Sequence, residues 1–130
     1  MDKKQDMIQG WIDKAEHDLG MAELALKHQP EFKDMICFHC QQAAEKYLKA
    51  LLIHLDIPFR KTHSLVYLLD LLQDQNLETS ELYTFAEILE DYGVEIRYPS
   101  EQINLSDQNV EEAYNAAIKI KEFVLTYKLG

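Results

Sequence analysis

Residues 38–69 read FHCQQAAEKYLKALLIHLDIPFRKTHSLVYLL, a long helical run, a loop and the start of a second run. Cys40, Ala43, Ala44, Tyr47, Leu48, Leu51 and Leu55 recur at three- and four-residue steps, and Ile36 extends the series upstream. That spacing predicts a helix over residues 32–55, with an apolar face broad enough for a central place in a bundle. Pro58 and the polar run around it mark a loop, because proline cannot continue a helix. SLVYLLDLLQ then gives a short helix with Leu65, Leu68, Leu69 and Leu72 inward and Thr62 or Ser64 as N-cap.

The same periodicity extends in both directions. Ile8, Trp11, Ile12, Ala15, Leu19, Ala22 and Leu26 share one face of a helix expected over residues 6–27, which Pro30 terminates. Downstream, Thr79 or Ser80 can cap a fourth helix through Leu82, Phe85, Ala86 and Leu89, with Gly93 placed to end it as a left-handed residue. VEIRYPSEQINL, residues 94–105, reads as irregular, and Pro99 biases Tyr98 toward an extended backbone. Ser106 or Asp107 opens a last helix with Ala113, Ala117, Ile120 and Val124 on one face. The fold expected is all-α: one domain over residues 1–130, an antiparallel up-and-down bundle of four long helices plus one short one.

Composition narrows the function. Four glycines and three prolines in 130 residues suit a few long helices better than many strands. No apolar run approaches the ~20 residues that span a bilayer, and the N-terminus lacks a signal-peptide pattern, so a cytoplasmic location is expected. Acidic residues outnumber basic ones 23 to 13, a formal charge of −10. Nucleic-acid binders usually carry a basic footprint, so a broad nucleic-acid surface is not expected. A small basic pocket or a basic partner stays compatible with that charge.

The stretch from aromatic Phe38 through Gln41-Gln42-Ala43, Glu45-Lys46, Leu48-Lys49-Ala50 to Lys61-Thr62-His63 and Leu65 resembles the signature half of the HEPN family. Arg97-Tyr98-Pro99 resembles the family's segment ahead of its final helix. With flanking helices of matching length and order, the resemblance covers nearly the whole chain. It implies a four- to five-helix bundle, often a homodimer, commonly paired with a minimal nucleotidyltransferase partner protein in a toxin–antitoxin type system. Some members cut RNA without a metal through Arg-x(4–6)-His at the start of the last helix; others are suspected to bind nucleotides or partner proteins. Here Arg97 occupies the arginine position, but Glu101, Gln102 and Ile103 stand where the histidine belongs. All five histidines (His17, His28, His39, His54 and His63) precede Arg97, so a longer spacing cannot supply one.

Candidate binding groups follow from side-chain chemistry. Gln42, Glu45 and Lys49 form one stripe of the second helix, with Gln41 and Glu45, and Gln42 and Lys46, as neighbouring i,i+4 pairs. Lysines flanked by amides can hold a phosphate and hydrogen-bond a base; the alternative is a solvated or dimer-lining face braced by Glu45 and Lys49. Lys61 and His63, beside a helix N-terminus, could contact an anion together with free backbone N–H groups; alternatively His63 packs on the second helix and fixes the loop. Arg97, with Tyr98, can grip a phosphate or pair with a nearby acid such as Glu95 or Glu101. On the binding assignment, Lys49→Ala or Arg97→Ala weakens binding without unfolding the bundle.

Cys37 and Cys40 lack further zinc ligands at suitable spacing and read as small core residues. The expectation is therefore a non-catalytic nucleotide- or partner-binding module with no cofactor, no metal and no catalytic residue. The rival is a metal-independent ribonuclease with an atypical site recruiting His63.

Overall fold

The computed structural model describes residues 2–93 and 104–129. Within them lie five α-helices and no strand: α1 Lys3–His28, α2 Lys33–His54, α3 Leu65–Asp74, α4 Tyr83–Glu90 and α5 Asp107–Leu125. A short 3-10 turn, Ser80–Leu82, leads into α4, which at 8 residues is much shorter than α1, α2 or α5.

α2 is the centre of the bundle, in contact with α1, α3, α4 and α5. Its apolar positions are buried nearly all round, with Ile36, Tyr47, Leu48, Leu51 and Leu52 fully enclosed. Each such leucine or isoleucine removed from water is worth ~1.5–3 kcal/mol, so this helix anchors the fold. α1 lies along one side of α2 through Ile8, Ala15, Leu19 and Ala22, where the two alanines allow close approach. α5 covers another side through Val110, Ala113, Ala116, Ala117, Ile120 and Val124. Two polar clips reinforce these packings. Tyr114 donates to Glu23 at 2.6 Å between α5 and α1, and Lys33 meets Asp107 at 3.2 Å between α2 and α5.

The helix ends explain the turns. Asp2 caps α1 by accepting from the Lys4 amide at 3.0 Å. Ser64, rather than Thr62, caps α3, accepting from the Tyr67 amide at 3.2 Å. Ser106 caps α5 in a reciprocal box with Asn109. After α2, Asp56 takes a left-handed backbone (φ 59°), and the Asp56 and Ile57 amides return to the Ile53 and Leu52 carbonyls. After α3, Asn76 (φ 66°) and Leu77 do the same to Gln73 and Leu72. Both are Schellman closures with Asp or Asn where glycine is commonest, since a short polar side chain tolerates that conformation.

The fourth helix departs from expectation at both ends. Neither Thr79 nor Ser80 caps it with a side-chain bond to the backbone; the Ser80 hydroxyl instead donates to Glu78. Gly93 is not the left-handed closing residue. α4 ends with Asp91 at its C-cap, and a Cβ on Gly93 would stand 3.2 Å from Gln41 Nε2. Absence of a side chain here serves a close approach to α2.

Candidate functional site

Four polar residues of α2 are withdrawn from solvent. Gln41, Gln42, Glu45 and Lys49 are all buried, so of the readings open in the sequence the solvated face does not hold. Burial of charge is tolerated only with pairing and full hydrogen bonding. Glu45 has both: Lys49 Nζ donates to its Oε2 at 2.9 Å, while His63 Nδ1 lies 2.9 Å and Gln41 Nε2 3.4 Å from its Oε1. Gln42 in turn donates to Gln41 Oε1 at 2.8 Å. Helical spacing makes this possible, since residues 41, 42, 45 and 49 stack on one side of α2 over two turns.

This cluster holds down the α2–α3 loop. Gln41 Nε2 donates to the His63 carbonyl and Lys49 Nζ to the Thr62 carbonyl, each at 2.9 Å. The Lys49 ammonium also sits 5.2 Å from the centre of the Trp11 ring of α1. On the far side of the loop, Glu90 from α4 accepts from the Leu65 amide at 2.7 Å and the Ser64 hydroxyl at 3.0 Å. A carboxylate of the chain itself thus occupies the N-terminus of α3. The expectation of several free N–H groups there for an external anion is corrected: Ser64 N–H goes to Thr62 Oγ1, Leu65 to Glu90 and Tyr67 to Ser64.

What faces water is the loop's upper surface. Lys61 is exposed, and the His63 side chain is 67% exposed although its Nδ1 edge is anchored on Glu45. Arg60 is exposed beside them, its guanidinium 3.9 Å above the Tyr67 ring. Lys46 points the other way. It pairs with Asp18 of α1, whose second oxygen lies 2.9 Å from His39 Nδ1, so Asp18 joins α1 to two residues of α2. Arg97 and Tyr98 lie outside the described residues.

The proposed groups therefore fall in two sets. Gln41, Gln42, Glu45 and Lys49 form the buried floor, with Lys61 and His63 on the loop above. Lys46 stands in a separate, partly buried pair. Removing Lys49 would strand a buried carboxylate, so Lys49→Ala is not the neutral binding variant expected from sequence. Asp18 and Glu90 were missed by sequence reading, Gly93 was read only as a helix end, and Arg60 was set aside as a partner for His63. Arg60 had a signal, as one of only two arginines in the chain.

The cysteines have no part in this site. Both are fully buried and unpaired, and burial pushes the Cys37 thiol up to about 11 and the Cys40 thiol up to about 12. Among the described residues no three His, Cys, Asp or Glu side chains come together as a metal site. None of the described helices is long and apolar enough to cross a membrane.

A five-helix bundle whose central helix carries a buried Gln-Gln-Glu-Lys cluster beneath a Lys-Thr-His loop is a specific class of all-α domain. The chain belongs to the HEPN family: the HEPN domain model matches residues 8–127. Two solved structures are similar over 92% of this chain and 96% of theirs. One is ST0689, described as an archaeal HEPN homologue, at 25% identity and a TM-score of 0.73. The other is TT1696 from Thermus thermophilus, at 31% identity and a TM-score of 0.71. No curated protein matches the sequence.

Proposed function

We propose that this chain is a non-catalytic, cytoplasmic HEPN module that works by binding, as a homodimer, a nucleotide, a partner protein such as a minimal nucleotidyltransferase, or both, within a toxin–antitoxin type pair. The observation that carries this reading is the loop of residues 60–63. On a chain of net charge −10, three neighbouring side chains able to carry positive charge are exposed there. The backbone beneath them is pinned by Gln41, Lys49 and Glu90. A loop fixed before binding loses little entropy when it meets a phosphate. Lys61 and His63 are the groups that touch the anion, with Arg97 and Tyr98 as further contacts. Gln41, Gln42, Glu45 and Lys49 act by holding the loop, while Lys46, whose charge is met by Asp18, fastens α2 to α1.

Calorimetric titration with ATP tests this. Lys61→Ala weakens binding roughly tenfold, equivalent to about 1.4 kcal/mol, with no change in melting temperature. Identical isotherms for wild type and variant would remove Lys61 from the site, and the absence of heat in both would remove nucleotide from the reading.

One observation favours the rival reading of a metal-independent ribonuclease. The exposed His63 has its Nδ1 on a buried carboxylate, an arrangement that orients an imidazole for proton transfer. Against it stands the order of the chain, in which no histidine follows Arg97.

A further inference from the structure

Lys61 and His63, as anion contacts, leave the base of the proposed nucleotide without a partner, and the loop beside them carries one. Arg60 is exposed, and its guanidinium lies 3.9 Å from the centre of the Tyr67 ring, the contact distance of a cation stacked on a phenol. The same ring also holds the main chain, since the Arg60 amide donates to the Tyr67 hydroxyl at 3.1 Å. Tyr67 is itself fixed, half-buried against the core, with its own amide on the Ser64 hydroxyl. Phe59, one residue before Arg60, packs against the same core. The guanidinium is therefore positioned before any ligand arrives, which keeps the entropy cost of binding low.

Charge explains why Arg60 lies on a ring and not on an acid. The carboxylates around the loop are engaged elsewhere: Asp56 with Lys4, Glu45 with Lys49 and His63, and Glu90 with Ser64 and Leu65. Among the described residues Arg60 has no ion pair, although acidic residues outnumber basic ones 23 to 13 in the chain. A guanidinium is planar and more weakly hydrated than an ammonium. With one face on a phenol, its other face suits a second flat ring.

We propose that Arg60 is the base subsite of this loop. A nucleotide base stacks on the guanidinium face away from Tyr67, making a base–guanidinium–phenol stack, while its phosphates run to Lys61 and His63. Every base has a π face, so the subsite selects a nucleotide over a bare phosphate and not one base over another. An acidic peptide would use only the N–H edge of the guanidinium and gain nothing from its open face.

The inference rests on the nucleotide in the proposed function, and calorimetric titration of the full chain with ATP and with tripolyphosphate separates the two. Tripolyphosphate carries the phosphate charge without a base. The wild type binds ATP about tenfold more tightly than tripolyphosphate. Arg60→Lys keeps the charge but loses the plane, so ATP weakens by about tenfold, tripolyphosphate is unchanged and the melting temperature holds. Tyr67→Leu removes the ring that positions Arg60 and lowers the same preference for ATP, a ratio that a general loss of stability would not move. Lys61→Ala weakens both ligands alike. Equal affinities of the wild type for the two ligands would overturn the base subsite and leave the phosphate contacts standing. An Arg60→Lys variant that keeps the preference for ATP, or weakens both ligands equally, would overturn it in the same way. No heat with either ligand would overturn the nucleotide reading and this inference together.

Discussion

Glu45 shows how much one residue can hold together. Its carboxylate is buried and meets an ammonium, an amide and an imidazole from three points of the chain. Breaking a buried pair from one side costs more than the pair itself contributes, because the remaining charge stays unpaired. Lys49→Met is therefore expected to lower stability by about 3–5 kcal/mol in urea denaturation, and Lys49→Met with Glu45→Leu to recover much of that loss. Equal losses in the single and double variants would show that the pair is not the source. The buried thiols make a second residue-scale prediction. Thiols raised to about 11 and 12 hold almost no thiolate at neutral pH, so Cys37 and Cys40 resist iodoacetamide in the folded chain and react on unfolding. The site residues were legible as a stripe from helical spacing, but their burial was not. Periodicity marks a shared side of a helix without saying which neighbour covers it, and the covering groups come from the α2–α3 loop and from α4.

At the scale of elements, contacts between helices are set by side chains that local patterns do not reveal. Glu90 caps α3 from 25 residues away, and Glu23 receives the Tyr114 hydroxyl from 91 residues away. Such pairings are invisible to a reading built on neighbours three and four residues apart. Helix starts with a local capping residue, at Ser64 and Ser106, were legible; the start of α4, which lacks one, was not. The Tyr114 clip carries a pH signature. Its hydrogen bond to Glu23, with burial and the charge of Glu23 adding to it, pushes the phenol up to about 12. Tyr83 rises to about 12 through burial and Asp70, and Tyr47 rises through burial. A phenol whose pKa is higher folded than unfolded contributes stability that is complete below pH ~10 and lost as pH climbs toward 12. Thermal melts between pH 9 and 12 should fall across that window, and Tyr114→Phe should flatten part of the fall. A parallel decline in variant and wild type would contradict the clip.

For the whole molecule, the bundle was legible because the apolar face of α2 is broad enough for a central place, with α1 and α5 amphipathic and able to cover it. The length of α4 was less so, since its apolar positions fit a longer helix equally well. The proposed function turns on the loop above Glu45, read there as a fixed cationic surface for binding and in the rival reading as a histidine oriented for proton transfer. The direct measurement is incubation of the purified full chain with end-labelled RNA in excess chelator, followed on a denaturing gel. The binding account predicts intact RNA for the wild type and for His63→Ala alike. Cleavage by the wild type that disappears in His63→Ala would contradict it.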